Sequence, residues 1–285
     1  MVHLDVPGAD NGFFSTEEEP LQKSPNLAAG FKSLDLSCEA AVRANLVVDN
    51  ISTESFKITL ETWGTSTLYS ASATWIEHRA RARECFFGQF DTQDLPKAAQ
   101  KAASGASKPA AKPPPQENSK QIKFPRALDR DAEVVCWLNR IDMASGEDRN
   151  YRVHAYATHV TSEGFTAHID TWSDTMLNGA AMCWIAFPKD KQLVASGSFS
   201  TGDVRSWSNP KPKNSARVSF KQGKFAKPPT VLVALNMLDM AGNSDLRVKV
   251  DADEVTEEGF RWHLDTWEDS TLYAAGASWV ALGFV

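Results

Sequence analysis

The chain has 285 residues, 42% hydrophobic and 23% charged, a balance that fits a packed globular protein and excludes wholesale disorder or a coiled coil. Thirty basic against 36 acidic residues give a net charge of −6, which argues against a nucleic-acid groove or an anionic membrane as the main partner. The sequence holds no long uncharged apolar run, and residues 1–11 lack the apolar core of a secretory leader, so neither membrane insertion nor classical secretion is expected.

Followed from the amino terminus, the chain writes one unit three times. GFFST at 12–16 leads to Pro25, an apolar stretch ending in LDL at 34–36, Arg43, and the segment Phe56 to Trp75 (FKITLETWGTSTLYSASATW). A second copy opens with GQFDT at 88–92. Residues 96–120, rich in Ala, Pro, Lys and Ser, then predict a disordered, solvated loop that interrupts this copy near its start. The copy resumes with IDM at 141–143, Arg152 and the segment Phe165 to Trp184. The third copy runs from GSFST at 197–201 through Pro229, LDM at 238–240 and Arg247 to the segment Phe260 to Trp279. In every copy Phe precedes the first Trp by seven residues, the two Trp are twelve apart, and Arg stands twenty before the first Trp. Three domains are expected: 1–84 with a shortened front, 88–190 with the loop 96–120 inside it, and 194–285.

The repeated segments alternate with period two, the pattern of half-buried strands. Phe260, Trp262, Leu264 and Thr266 share one face, and Arg261, His263, Asp265 and Trp267 the other. Phe56, Ile58, Leu60 and Thr62 repeat the inner face in copy one, and Phe165, Ala167 and Ile169 in copy two. Leu246, Val248 and Val250 alternate against Arg247, Lys249 and Asp251, so the arginine lies on the polar face. A hairpin folded about residue 257 sets Arg247 opposite Trp267, and the equal spacing repeats the pairing for Arg43 with Trp63 and Arg152 with Trp172. Short alternating strands without helical periodicity predict an all-β chain of three small antiparallel β-sandwiches. The Ala- and Gly-rich last strand, Tyr273 to Leu282, predicts close sheet or subunit packing.

An indole on a polar face is costly unless something covers it, and an indole beside a guanidinium suits a sugar: the C–H face of a pyranose stacks on the ring while arginine donates to hydroxyls. The competing reading is a cation–π pair in which each Arg also bridges Glu61, Asp170 or Asp265. Tyr69 and Tyr273, six residues after the Trp, would add a second wall; copy two has Asn178 there. Trp75, Trp184 and Trp279 read as core, and Asp35, Asp142 and Asp239 as turn- or loop-bonding residues. Cys38, Cys85, Cys136 and Cys183 lie far apart without zinc-ligand spacing and read as buried free thiols. No nucleophile elbow, phosphate loop or metal-ligand cluster appears, so an enzyme is not expected.

At these residues the sequence resembles the H-type lectin family, of the snail agglutinin and discoidin C-terminal type. The shared features are an early G-x-F strand, a Pro-preceded apolar strand ending in LD, Arg-Val, a Gly-Phe strand, then TW and Y…W. Copy three follows them over nearly its whole length. The resemblance implies a six-stranded antiparallel sandwich that assembles in threes and binds galactose or N-acetylgalactosamine near protomer junctions, without cofactor, metal or catalytic step. It assigns sugar contacts to Arg43, Arg152 and Arg247, stacking to Trp63, Trp172 and Trp267, and further contact to Tyr69 and Tyr273. The family's loop acid maps to Asp10 in copy one and Asn209 in copy three, with none located in copy two. Copy two, lacking Tyr and acid, is expected to be the degenerate one. Gly64, Ser173 and Glu268 stand where the snail protein has a sugar-contacting His, and Thr92 and Thr201 replace its early cysteine. The expectation is a single-chain pseudo-trimer, a multivalent lectin for galactose-type glycans acting in agglutination or adhesion. The alternative is an interaction module that has lost sugar binding. No nucleic acid or membrane partner is expected, and the cytoplasm is the expected location, with unconventional secretion as the other route.

Overall fold

A computed structural model describes residues 24–78, 84–95, 116–146 and 148–284. Copy one supplies β1 (Asn26–Leu36), β2 (Val42–Asp49), β3 (Lys57–Glu61) and β4 (Leu68–His78). Copy two supplies β5 (Phe86–Asp91), β6 (Gln116–Lys123), β7 (Ala132–Met143), β8 (Tyr151–Thr158), β9 (Gly164–Thr171) and β10 (Leu177–Pro188). Copy three supplies β11 (Val194–Ser200), β12 (Ser215–Ser219), β13 (Thr230–Met240), β14 (Leu246–Thr256), β15 (Gly259–Asp265) and β16 (Leu272–Leu282). The described residues are all-β apart from two single 3-10 turns, Thr92–Asp94 and Thr201–Asp203.

The strands form three antiparallel sheets, and each sheet crosses from one copy to another. Their orders are β12-β15-β14-β1-β4, β3-β2-β7-β10-β5 and β11-β16-β13-β8-β9-β6. Copy three's outer hairpin thus extends copy one, copy one's extends copy two, and copy two's extends copy three. Each join has the same register: Arg247 opposite Asp35, Arg43 opposite Asp142, and Arg152 opposite Asp239.

The hairpins take the register their spacing predicts, with Lys249 paired to Asp265 and Val250 to Leu264, so that Arg247 meets Trp267 one step further along. The faces follow. Phe260, Trp262, Leu264 and Thr266 are buried, whereas Arg261, His263 and Trp267 remain partly exposed. In copy one Phe56, Ile58 and Leu60 are only half-buried, because β3 is the edge of its sheet among the described residues.

One expectation needs correction. Residues 116–120 do not belong to a disordered loop: Gln116–Lys123 is β6, paired in full with β9 from Gln116–Thr171 to Lys123–Gly164. An edge strand exposes one row of backbone groups and one polar face, so it needs few apolar residues and composition misses it. Its anchor is buried Asn118, whose side chain donates to the Ile169 carbonyl (2.9 Å) while its backbone N–H donates to Asp170 (3.0 Å). Asn214 makes the matching bonds to Leu264 (2.8 Å) and Asp265 (3.1 Å) ahead of β12. The rest of the expected loop, 96–115, lies outside the described residues.

Apolar side chains pack in two places. Between the sheet faces sit the second tryptophans, Trp75, Trp184 and Trp279, buried as expected. A Cβ on Gly88 would overlap the Trp184 indole, and one on Gly197 would stand 2.9 Å from the Trp279 ring, which explains the glycine that opens GQFDT and GSFST. A second cluster forms where β1, β7 and β13 converge. It includes Ala28, Val135, Trp137, Ile185, Leu232, Ala234 and Val280 from all three copies. Gly30, Trp137 and Ala234 occupy the same position of the repeat. A Cβ on Gly30 would overlap that of Trp137 and lie 2.9 Å from that of Ala234, so one copy carries an indole because its two counterparts carry almost nothing. The Trp137 Nε1–H donates to the Ser278 carbonyl (3.0 Å) and the Thr74 hydroxyl to the Val233 carbonyl (2.6 Å), tying the copies together at this centre. Cys85, Cys136 and Cys183 are buried here and at the sheet interface as free thiols; Cys38 is only half-buried. Burial pushes the Cys183 thiol up to about 12.

Candidate functional site

The three arginines lie where a hairpin of one copy meets β1, β7 or β13 of another, and each is fixed by local structure repeated in all copies. The threonine before the first Trp donates to the arginine carbonyl: Thr62 to Arg43 (2.7 Å), Thr171 to Arg152 (2.6 Å) and Thr266 to Arg247 (2.5 Å). The residue after that Trp is left-handed in each case, Gly64 (φ 66°), Ser173 (φ 62°) and Glu268 (φ 54°). The chain then turns tightly, and the hydroxyls of Ser66, Thr175 and Ser270 bond back to the carbonyls of Ala41, Asn150 and Asp245. Trp63, Trp172 and Trp267 are therefore held at the open ends of their hairpins, away from the hairpin turns, and are half-buried.

Each guanidinium reaches across the join. Arg43 Nε donates to Asp142 (3.2 Å), Arg152 Nε to Asp239 (2.9 Å), and Arg247 Nε stands 3.3 Å from Asp35 as an ion pair. This corrects the reading of Asp35, Asp142 and Asp239 as turn residues: they are inter-copy partners of the arginines. It also corrects the competing reading of the arginines: the acid on each Nε belongs to the neighbouring copy, in place of Glu61, Asp170 or Asp265. Those acids bond elsewhere, Glu61 to Asn45 (2.8 Å), Asp170 to the Tyr156 hydroxyl (2.7 Å) and Asp265 to Lys213 (3.1 Å). Burial raises the pKa of Asp239 against the opposing pull of Arg152, and raises that of Asp35 against Arg247.

Tyr69, Asn178 and Tyr273 are each the extra residue of a β-bulge next to one of these aspartates. Leu68 and Ser70 pair with Leu36 and Asp35, Leu177 and Gly179 with Met143 and Asp142, Leu272 and Ala274 with Met240 and Asp239. A bulge re-aims its side chain. Because the aspartate belongs to the neighbouring copy's arginine, Tyr69 stands at the Arg247 junction, Tyr273 at the Arg152 junction, and Asn178 at the Arg43 junction. Asn178 Nδ2 donates to Asp142 (3.0 Å). The structure therefore regroups the expected sets: Arg152 and Trp172, read as the copy without tyrosine, have Tyr273 beside them, and Arg43 and Trp63 are the pair without one. Asn209 lies in the exposed loop before β12, which Arg205 ties to the carbonyls of Leu272 and Tyr273 (2.8 and 2.7 Å), again at the Arg152 junction. Asp10 lies outside the described residues.

The H-type lectin domain family matches the chain in three segments, residues 18–76, 119–187 and 215–282, well over half of its length. The chain belongs to that family. Among curated proteins, "ATP synthase subunits region ORF 7" of Fuscovulum blasticum is 34% identical over 61 residues, 21% of this chain, which covers 53% of that protein. Among solved structures, discoidin II of Dictyostelium discoideum aligns with 70% of this chain and 96% of its own at 14% identity and a TM-score of 0.28, too loose a likeness to transfer residue roles.

The H-type lectin copies are not equivalent at their junctions. Arg247 is surrounded: besides Asp35 it meets Asp245 (2.5 Å), Glu268 (3.1 Å) and Asp269 (2.6 Å). Arg152 adds one acid to its Asp239, with NH1 on Asp174 at 2.6 Å. Among the described residues Arg43 adds none, and its NH1 has the Ser66 hydroxyl at 3.4 Å. At that junction a second arginine intervenes. Arg140 of β7 pairs with Asp91 (2.7 Å) and holds its guanidinium 5.7 Å from the Trp63 ring centre. Spacing could not reveal Arg140, since the matching residues are Ser33 and Met237. The aspartates were visible as the invariant middle letter of LDL, IDM and LDM, a sign that they need a fixed partner.

Proposed function

We propose that the chain is a multivalent lectin in which three H-type copies close into the single-chain counterpart of a trimer, with galactose- or N-acetylgalactosamine-type sugars bound at the junctions. The observation that carries this reading is the arginine, inter-copy aspartate and half-buried indole repeated at all three joins with the same register. The indole offers a stacking face, the aspartate accepts from hydroxyls, and the guanidinium donates to them. Tyr273 at the Arg152 junction and Tyr69 at the Arg247 junction give those two an added aromatic wall. Several weak sites on one body raise avidity for clustered glycans, which supports agglutination or adhesion as the outcome. A cytoplasmic setting, where unpaired thiols persist, belongs to the same proposal.

Retention of the purified chain on N-acetylgalactosamine resin, with release by the free sugar, tests the reading. Trp172→Ala removes a stacking surface and leaves the Arg152–Asp239 pair in place, so it should weaken retention without unfolding the chain. Absence of wild-type retention, together with a blank glycan array, would overturn it. One observation favours a second reading, an interaction module without sugar binding: Arg247 faces four carboxylates, which leaves that junction poor in donors.

A further inference from the structure

The loops that follow the three Trp residues form a graded series. At the position two after the Trp, copy two has Asp174 and copy three Asp269, and each carboxylate binds NH1 of its arginine at 2.6 Å. Copy one has Thr65 there. At the next position inward the series runs Gly64, Ser173, Glu268, and two before the arginine it runs Ala41, Asn150, Asp245. Copy one is thus stripped of acid at each place where copy three has one. Among the described residues, Asp142 is the sole carboxylate paired with Arg43.

The neighbouring copy moves the same junction toward the same sign by adding a base. Arg140 sits opposite Asn45 on the outer face, one step along from the Arg43–Asp142 pair, and leans over Trp63. Its matching residues at the other joins, Met237 and Ser33, carry no charge. Asp91 receives NH1 of Arg140, and among the described residues no second carboxylate pairs with that guanidinium. Both guanidinium groups are held rather than free-swinging, their side chains 22% and 13% exposed. The Trp63 ring has a guanidinium over it, and Asn178 stands at the bulge position where the other junctions have tyrosine.

From this convergence we infer that the Arg43–Arg140 junction takes a saccharide bearing an anionic group, sulfate or carboxylate, whose oxygens occupy the place beside Arg43 NH1 that Asp174 and Asp269 fill at the sister junctions. The inference rests on the lectin reading and assigns a ligand class to one of its sites. Paired guanidinium forks match the oxygens of such a group, and a charge-assisted bond is about twice as strong as a neutral one. The Arg247 junction, with four carboxylates, repels the same ligand.

Calorimetry with 3′-sulfolactose, 3′-sialyllactose and lactose distinguishes the outcomes. A single site per chain should prefer one or both anionic sugars over lactose, and its affinity should fall between about 50 and about 300 mM salt while that for lactose holds. Whichever anionic sugar binds identifies the group. Arg140→Met, the residue copy three carries, should weaken the anionic sugar roughly tenfold and so remove its margin over lactose. Thr65→Asp, a change at an exposed turn that puts no burden on folding, should do the same by restoring the sister acid. Equal binding of charged and neutral sugars, or anionic binding indifferent to both substitutions, overturns the inference while the lectin reading stands. Binding of none of the three overturns both.

Discussion

The centre of the molecule and its three junctions are each built from equivalent positions of the three copies, yet the copies differ there in different ways. At the centre the equivalent positions touch. Gly30, Trp137 and Ala234 share one space, so an indole in copy two required its counterparts to shrink, and the three positions behave as a single packing problem. At the junctions the equivalent positions are separated by whole strands. There each copy has changed alone, from the acid-free surroundings of Arg43 to the four carboxylates around Arg247. A homotrimer must repeat any change three times, whereas a single chain can keep its interior mutually complementary and let its rims differ.

The sharpest way to break this contrast is at the centre. Trp137→Ala should destabilise the chain by about 3–5 kcal/mol through lost burial and the cavity left behind. Gly30→Ala, whose new Cβ meets that of Trp137, should cost about 1–3 kcal/mol. Alanine at 137 keeps the Cβ that the new one meets, so joint packing is read with glycine there: Gly30→Ala combined with Trp137→Gly should cost less than the sum of those two single changes by at least about 1 kcal/mol, measured from denaturant midpoints at constant slope. Simple additivity would mean that the centre is not jointly packed.

A smaller effect is expected at a join. Asp239→Ala leaves the Arg152 guanidinium, 11% exposed, without the partner of its Nε, at a cost of about 2 kcal/mol. Asp239→Asn, which still offers an oxygen, should recover about half of that. The same substitution at Asp142 should cost less, since Arg43 is more exposed at 22%. If all three aspartates prove neutral, the register that joins the copies owes nothing to these pairs.

Different parts of this molecule were legible in the sequence to different degrees. Strand faces, hairpin register and the Arg–Trp opposition followed from a period of two and a constant spacing of twenty, because a hairpin converts sequence distance directly into position. The pairing of Asp35, Asp142 and Asp239 with arginines of neighbouring copies did not follow, since spacing within a copy carries no information on which copy lies beside it. The same gap misassigned the tyrosines: Tyr69 is six residues after Trp63 in sequence, yet it sits one strand beyond Asp35 and joins another junction. Strand β6 was missed because an edge strand of QENSKQIK composition has the chemistry of a linker. Arg140 had no counterpart to reveal it, and repeats disclose what is shared and hide what one copy has acquired.

The gentlest change tests whether the rims evolved independently. Glu268→Gly with Asp269→Thr gives the Arg247 junction the residues that follow Trp63. Both acids are mostly exposed, 67% and 75% in their side chains, so the ion pairs lost are worth little, and glycine relieves a left-handed glutamate. Stability should shift by no more than about 0.5 kcal/mol. Sugar binding should respond where stability does not: with NH1 released and Tyr69 and Trp267 already in place, the variant should bind lactose with a higher stoichiometry than the wild type by calorimetry. An unchanged stoichiometry would mean that the carboxylates do not hold this junction closed, and the graded acids would then be surface drift with no bearing on the sugar.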